Sequence, residues 1–186
     1  SLSLIQCSDD SISLMPAFQI NNQTPGDTLW VRFWEYGNDN NGTFGICATA
    51  VTLPPPLTND LPCGAISLTP TTTCSYTQGT TVGATSSTLT ASCVTSTTPD
   101  VWYSLVVPAG GAVNINTQAG TMLDGVMAVY TASACSSTLT QIAGACDDNG
   151  FDMPNLSLTG LTVGSTIYIR VWGYSTLDAG TFGICV

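Results

Sequence analysis

The residues of this sequence that could do chemistry are few: paired aspartates, two arginines set among aromatic side chains, and eight cysteines. The run Asp147, Asp148, Asn149 recurs early in the chain as Asp9 and Asp10, and Asp124 stands before a glycine, with Asp100 near the same end if sandwich ends are shared. Clustered carboxylate and amide oxygens suit a hard cation such as Ca2+, which takes six to eight oxygen ligands. Asp147, Asp148, Asn149 and Asp124 are therefore the candidate calcium ligands, although such residues also serve turns by bonding their own backbone. A glycosidase pair is a poor fit. Neighbouring aspartates on one extended loop point in opposite directions, whereas hydrolysis needs carboxylates facing each other across about 5–9 Å.

The sequence has no histidine and no lysine, which removes the commonest general bases, Schiff-base amines and phosphate ligands. It contains no nucleophile-elbow serine, no zinc-protease helix motif and no phosphate loop. A cysteine nucleophile would lack its activating base. The expectation is that the chain is not an enzyme.

Both arginines occupy the same place in two similar segments, 29–36 and 167–174. Alternation puts Leu29, Val31 and Phe33 on one face of a strand and Trp30, Arg32, Trp34 and Tyr36 on the other. In the second segment Ile167, Ile169 and Val171 oppose Tyr168, Arg170, Trp172 and Tyr174. A guanidinium between aromatic rings gains about 0.5–2 kcal/mol of cation–π energy, and Asp148 is the candidate counter-ion for Arg170. This ladder is either a second buried layer holding a loop over the sheet or an aromatic platform for sugar rings.

Those segments belong to a longer repeat. Residues 9–47 align without a gap on 147–185, a period of 138, with 16 of the 39 positions identical, among them Gly42-Thr-Phe-Gly-Ile-Cys47 and Gly180-Thr-Phe-Gly-Ile-Cys185. The expected organisation is a C-terminal part of one repeat at 1–48, a proline-rich linker at 49–62 and a complete repeat at 63–186. Residues 1–48 would then be completed by upstream sequence or by another chain. The Pro54-Pro55-Pro56 run makes the linker a stiff spacer.

Short alternating or β-branched runs between turn residues predict strands near 64–69, 81–87, 101–107, 112–117, 126–131, 138–143, 155–159, 165–173 and 180–186. The first copy repeats the last four near 2–7, 17–21, 27–36 and 42–48. Nine short strands at regular spacing read as an all-β, jelly-roll-like antiparallel β-sandwich.

The complete repeat owns Cys63, Cys74, Cys93, Cys135, Cys146 and Cys185, while Cys7 and Cys47 answer Cys146 and Cys185. Zinc is disfavoured, since there is no histidine and no close cysteine pair. Disulfides are expected, each contributing about 2–4 kcal/mol. Of about 15 connectivities open to six cysteines, neighbouring first and last strands favour Cys63–Cys185, with Cys135–Cys146 across one strand and Cys74–Cys93 across a loop.

Two basic residues against twelve acidic ones give a formal charge of -10. Nucleic acid is excluded as a partner, because nothing neutralises a phosphate backbone. No apolar run reaches the roughly 18 residues of a membrane span, so membrane insertion is not expected. Abundant cysteine implies an oxidising compartment.

The segments 100–108, 127–130, 146–148, 160–174 and 180–185 together resemble the bacterial pre-peptidase C-terminal (PPC-like) domain, in its cysteine-rich tandem variant from secreted and surface proteins of Bacteroidetes. That resemblance implies a jelly-roll-like sandwich, an extracellular or cell-surface location, and a role as a spacer or binding module beside peptidases, glycosidases or adhesive regions. It also implies O-glycan acceptors at Ser11 and Thr28, each following an aspartate and preceding an apolar residue. The functional expectation is a non-catalytic structural and adhesive repeat of a large secreted protein, an adhesin or extracellular filament, whose partners are neighbouring repeats or other copies. The alternative is a carbohydrate- or polymer-binding accessory domain of a secreted hydrolase or peptidase, with extracellular glycans as partners.

Overall fold

The computed structural model describes residues 2–9, 15–20, 26–37, 42–50, 57–96, 98–148, 150 and 152–186. Ser11, Asn149 and the proline run of the linker lie outside the described residues. The chain divides into two units, 1–49 and 50–186.

The described residues of the second unit form a sandwich of nine strands: β1 (Ile66–Ser67), β2 (Thr77–Thr80), β3 (Asp100–Val106), β4 (Val113–Ala119), β5 (Gly125–Thr131), β6 (Thr140–Asp147), β7 (Asn155–Leu158), β8 (Thr166–Gly173) and β9 (Thr181–Cys185). One sheet has the order β1-β3-β8-β5-β6 and the other β2-β9-β4-β7. All pairings are antiparallel except β1 with β3. The described helical structure is two 3-10 turns, 62–64 and 176–178.

Alternation builds the core. Val101, Tyr103 and Leu105 of β3, Met127 and Val129 of β5, and Ile167, Ile169 and Val171 of β8 face inward onto Val113, Ile115, Leu156, Phe182 and Ile184 of the other sheet. The opposite face of the five-stranded sheet is apolar as well. Trp102, Val126, Ala128, Tyr130, Tyr168 and Trp172 form a second cluster, covered by Leu89, Ala91 and Val94 of the β2–β3 connection. That double burial explains why β3, β5 and β8 read as near-continuous apolar runs.

Eight of the nine expected strands have counterparts in β1 and β3 to β9, while the expected strand at 81–87 is replaced by β2 at Thr77–Thr80. Gly83 breaks the expected run with φ 87°, a conformation other residues rarely adopt. Gly79 sits in β2 because a Cβ there would collide with the ring ends of Tyr103 and Phe182.

The first unit differs from its expected form. Among its described residues no strand forms, and Trp30, Trp34 and Tyr36 lie exposed. Phe33 and Phe44 stack at 5.0 Å, and Arg32 lies 5.2 Å from the Trp34 ring centroid. The topology of the complete unit supplies the reason. Residues 1–49 correspond to β6, β7, β8 and β9, and no two of these are neighbours in either sheet. Their ladder partners are β2, β3, β4 and β5, so the segment alone holds none of the pairings that make it a sheet.

Candidate functional site

The outer face of β8 carries the arginine ladder, and its register assembles three rows. Asp100, Trp172 and Val126 lie side by side; next come Trp102, Arg170 and Ala128, and then Ser104, Tyr168 and Tyr130. Asp100 is thus diagonal to Arg170, within reach of a side chain of that length. Arg170 Nε donates to Asp100 Oδ2 at 2.9 Å, and its Nη2 lies 2.7 Å from the same oxygen as an ion-pair contact without directed hydrogen-bond geometry. Both side chains are fully buried. The counter-ion is therefore Asp100 and not Asp148, because the strand pairing brings β3 beside β8 whereas Asp148 follows β6 at the sheet's far edge.

This ion pair is the hub of the covering loop. Ser87 donates to Asp100 Oδ2 through its backbone N–H at 2.9 Å and its hydroxyl at 2.6 Å, and Trp102 Nε1 donates to Asp100 Oδ1 at 3.0 Å. Arg170 Nη1 donates to the Leu89 carbonyl at 2.6 Å. The guanidinium carbon lies 4.2 Å from the Trp172 ring centroid. Trp172 and Arg170 are both 0 % exposed, so this part of the ladder cannot receive a sugar ring. Tyr174, past the end of β8, is exposed. Sequence reasoning placed Asp100 only near the acidic loops and did not single out Ser87 or Leu89; the usable signal for the ion pair was Asp100 standing two residues before Trp102 on the same face of a strand.

The six cysteines of the complete unit form three disulfides, but all three pairings differ from those expected: Cys63–Cys135, Cys74–Cys185 and Cys93–Cys146. Cys63–Cys185 fails because β1 and β9 lie in different sheets. Cys74 instead approaches the end of β9 through the β2–β9 pairing, in which Thr77 stands opposite Ile184. Cys135 and Cys146 are separated by the length of β6, roughly 20 Å at about 3.3 Å per residue. Cys93 cannot close a local loop with Cys74, since the connection carrying it crosses the outer face of the five-stranded sheet and is bolted to β6. Cys7 and Cys47 are free and exposed.

The acidic residues only partly converge. Asp147 accepts the Asn155 N–H at 2.7 Å, and Asp178 caps the turn at 176–178 by accepting from the Ser175 N–H and hydroxyl. Asp124 is buried, and Asp124 Oδ1 and Asp148 Oδ1 each lack a hydrogen-bond partner. Burial holds the Asp124 carboxyl above the ordinary aspartate range, with the negative charges of Asp178 and Asp148 adding to it. Asp148 is raised by burial first and by Asp147 second. Among the described residues no group of three or more metal-ligating side chains is gathered.

The outer face of the four-stranded sheet is polar. Asn114 stands opposite Ser157 and Asn116 opposite Asn155, and Asn116 also faces Cys185. Asn114 and Asn116 border a shallow groove with Pro70, Thr71, Leu158 and Thr159.

No curated protein matches the chain. A T9SS-associated family model described as galactose binding domain-like matches residues 58–182, from the approach to β1 into β9. The match supports a secretion-associated β-sandwich module of Bacteroidetes and does not extend to the finer PPC-like likeness. Together with three disulfides it points to a secreted or cell-surface protein. With well over half of its length matched, the chain belongs to the T9SS-associated, galactose-binding-domain-like family.

Proposed function

We propose that this chain is a non-catalytic structural and adhesive repeat of a large secreted or cell-surface protein, built to persist outside the cell. The observation that carries this reading is the locked outer layer: a buried Arg170–Asp100 pair and the Cys93–Cys146 disulfide clamp a loop over the five-stranded sheet. That arrangement spends the molecule's charged and aromatic side chains on rigidity. The absence of lysine and the presence of only two arginines also leave few trypsin-type cleavage sites. Neighbouring repeats or other copies are its partners, and the PPC-like likeness of its motifs adds a spacer role to the same reading. Electron microscopy of native particles tests it: fibres with an axial repeat of one or a few units are expected, and isolated monomers would overturn it.

A second reading, a carbohydrate-binding accessory module, is favoured by the family description and by the groove that Asn114 and Asn116 border. Amide side chains beside small apolar surfaces are the kind of lining that holds a sugar. Asn114→Ala with Asn116→Ala would abolish retention on a glycan array without lowering the Tm; equal retention by the variant would sink this reading. Calcium between Asp124 and Asp148 is a further proposal, since a cation would relieve two unpartnered buried oxygens. Added Ca2+ would then raise the Tm, reversibly with chelator, and not in Asp148→Asn.

A further inference from the structure

We propose that residues 1–49 are one half of a split repeat whose partner is the other half: an open segment equivalent to residues 57–139, carrying β1 to β5. They join through strand ladders, a buried Arg32–aspartate pair and two disulfides made by Cys7 and Cys47. The inference goes beyond the structural-module reading and does not require fibres.

The first copy keeps residues whose reasons lie in that missing half. In the complete unit Arg170 is held by Asp100 of β3, Cys185 by Cys74 ahead of β2, and Cys146 by Cys93 ahead of β3. The first copy retains Arg32, Cys47 and Cys7, and both cysteines are free. The other two cysteines of the 57–139 half, Cys63 and Cys135, pair with each other. Every thiol is thus accounted for once the two halves meet.

Glycines give an independent argument. A Cβ on Gly180 would collide with the backbone of Thr121 and Met122, and one on Gly183 would press on Tyr76 at 3.1 Å. Their counterparts Gly42 and Gly45 have nothing within 4 Å. The first copy therefore keeps two glycines for close approaches that the 57–139 half alone provides. Apolar side chains show the same vacancy: Val31, Phe44 and Ile46 are 56 %, 58 % and 62 % exposed, whereas Ile169, Phe182 and Ile184 are 0 %.

A second intact copy does not fit as the occupant, since its own 57–139 half is already laddered to its β6, β7, β8 and β9. The occupant must be an open half with the Cys74 and Cys93 positions reduced. Each new disulfide forms as two thiols lose two protons and two electrons to a disulfide oxidant. With oxidised glutathione these leave as two molecules of reduced glutathione.

The test is a chain in which a second copy of 57–139 is fused directly ahead of Ser1 of the full sequence. Cys7 then follows the inserted Leu139 by seven residues, as Cys146 follows Leu139. After oxidation in a glutathione couple, unreduced peptide mapping is expected to link Cys7 to the inserted Cys93 and Cys47 to the inserted Cys74. Amide exchange across 28–35 is expected to slow by at least about 100-fold relative to the unfused chain. A Cys7–Cys47 link, or alkylation of either thiol while the three C-terminal disulfides are intact, would overturn the proposal. In the fused chain with Cys7→Ser and Cys47→Ser the protection is expected to persist, and its loss would overturn the ladder argument. A disulfide-linked dimer of the unfused chain through Cys7 and Cys93 would make a second copy the occupant and overturn the assignment to an open half. Failure here leaves the fibre reading standing, since that reading rests on the complete unit.

Discussion

Asp100→Asn is the sharpest perturbation of the complete unit. The carboxylate faces four donors from three residues: Arg170 Nε and the Ser87 N–H and hydroxyl on Oδ2, and Trp102 Nε1 on Oδ1. An asparagine keeps the shape but loses the charge, and one of its two ends must present an amide NH2 to donors. Arg170, fully buried, would then have no counter-charge. Stranding one member of a buried pair costs about 3–5 kcal/mol. Arg170→Met strands the carboxylate instead, although three neutral donors still surround it, and should cost somewhat less. The double variant removes both charges, so it should be more stable than the sum of the singles by about 2 kcal/mol or more. Urea unfolding with the disulfides intact, at constant m, measures all three. A cost below about 1 kcal/mol for Asp100→Asn, or strict additivity in the double variant, would refute the view that this pair anchors the covering loop.

Three other outcomes are expected. Replacing Cys93 and Cys146 together by serine opens a cross-link of sequence separation 53, worth about 4 kcal/mol by loop entropy, and should speed amide exchange in 87–94; unchanged exchange there would mean the ion pair alone holds the loop. Gly180→Ala forces a methyl onto the Thr121–Met122 backbone and should cost about 1–3 kcal/mol, whereas Gly42→Ala should change stability by less than about 0.5 kcal/mol. Asp124→Asn should raise the Tm at pH 7, because the folded state raises this carboxyl above its ordinary value of 3.8. The stabilising contribution of protonated Asp124 is complete below the unfolded pKa and is lost as pH rises through the folded one, so the gain from asparagine should shrink on acidification, and a constant gain would contradict the burial argument.

Sandwich class, strand positions and the two faces of β8 were legible because alternation and turn residues act locally. Ile167, Ile169 and Val171 could point only one way once Tyr168, Arg170 and Trp172 pointed the other. What was not legible depends on which strands become neighbours. The order along the chain does not tell that β1 and β9 belong to different sheets, on which the expected Cys63–Cys185 pairing turned, nor that the β2–β3 connection crosses the outer face to reach β6, which took Cys93 and Cys146 from their expected partners. The same gap hid the pairing of Asp100 with Arg170, which lies 70 residues away in sequence yet one strand away in space. β2 escaped because Gly79, a residue depleted in strands, interrupts Thr77–Thr80, while the glycine is there for the Tyr103 and Phe182 rings.

Covering one face of the five-stranded sheet has a consequence for where this module can meet other molecules. Its aromatic outer layer is sealed by Leu89, Ala91 and Val94, and the inner layer is the core. The four-stranded sheet is built the other way, with Asn114, Asn116, Asn155 and Ser157 in a polar ladder on its outer side. A ligand or neighbouring repeat that uses the complete unit therefore has an amide-rich sheet face available, with the Cys74–Cys185 disulfide beside it holding β9 in place. The aromatic groups that suggest a sugar platform in the sequence are the groups that the fold uses to close itself, and the open polar face is built from residues too ordinary to stand out in a strand pattern.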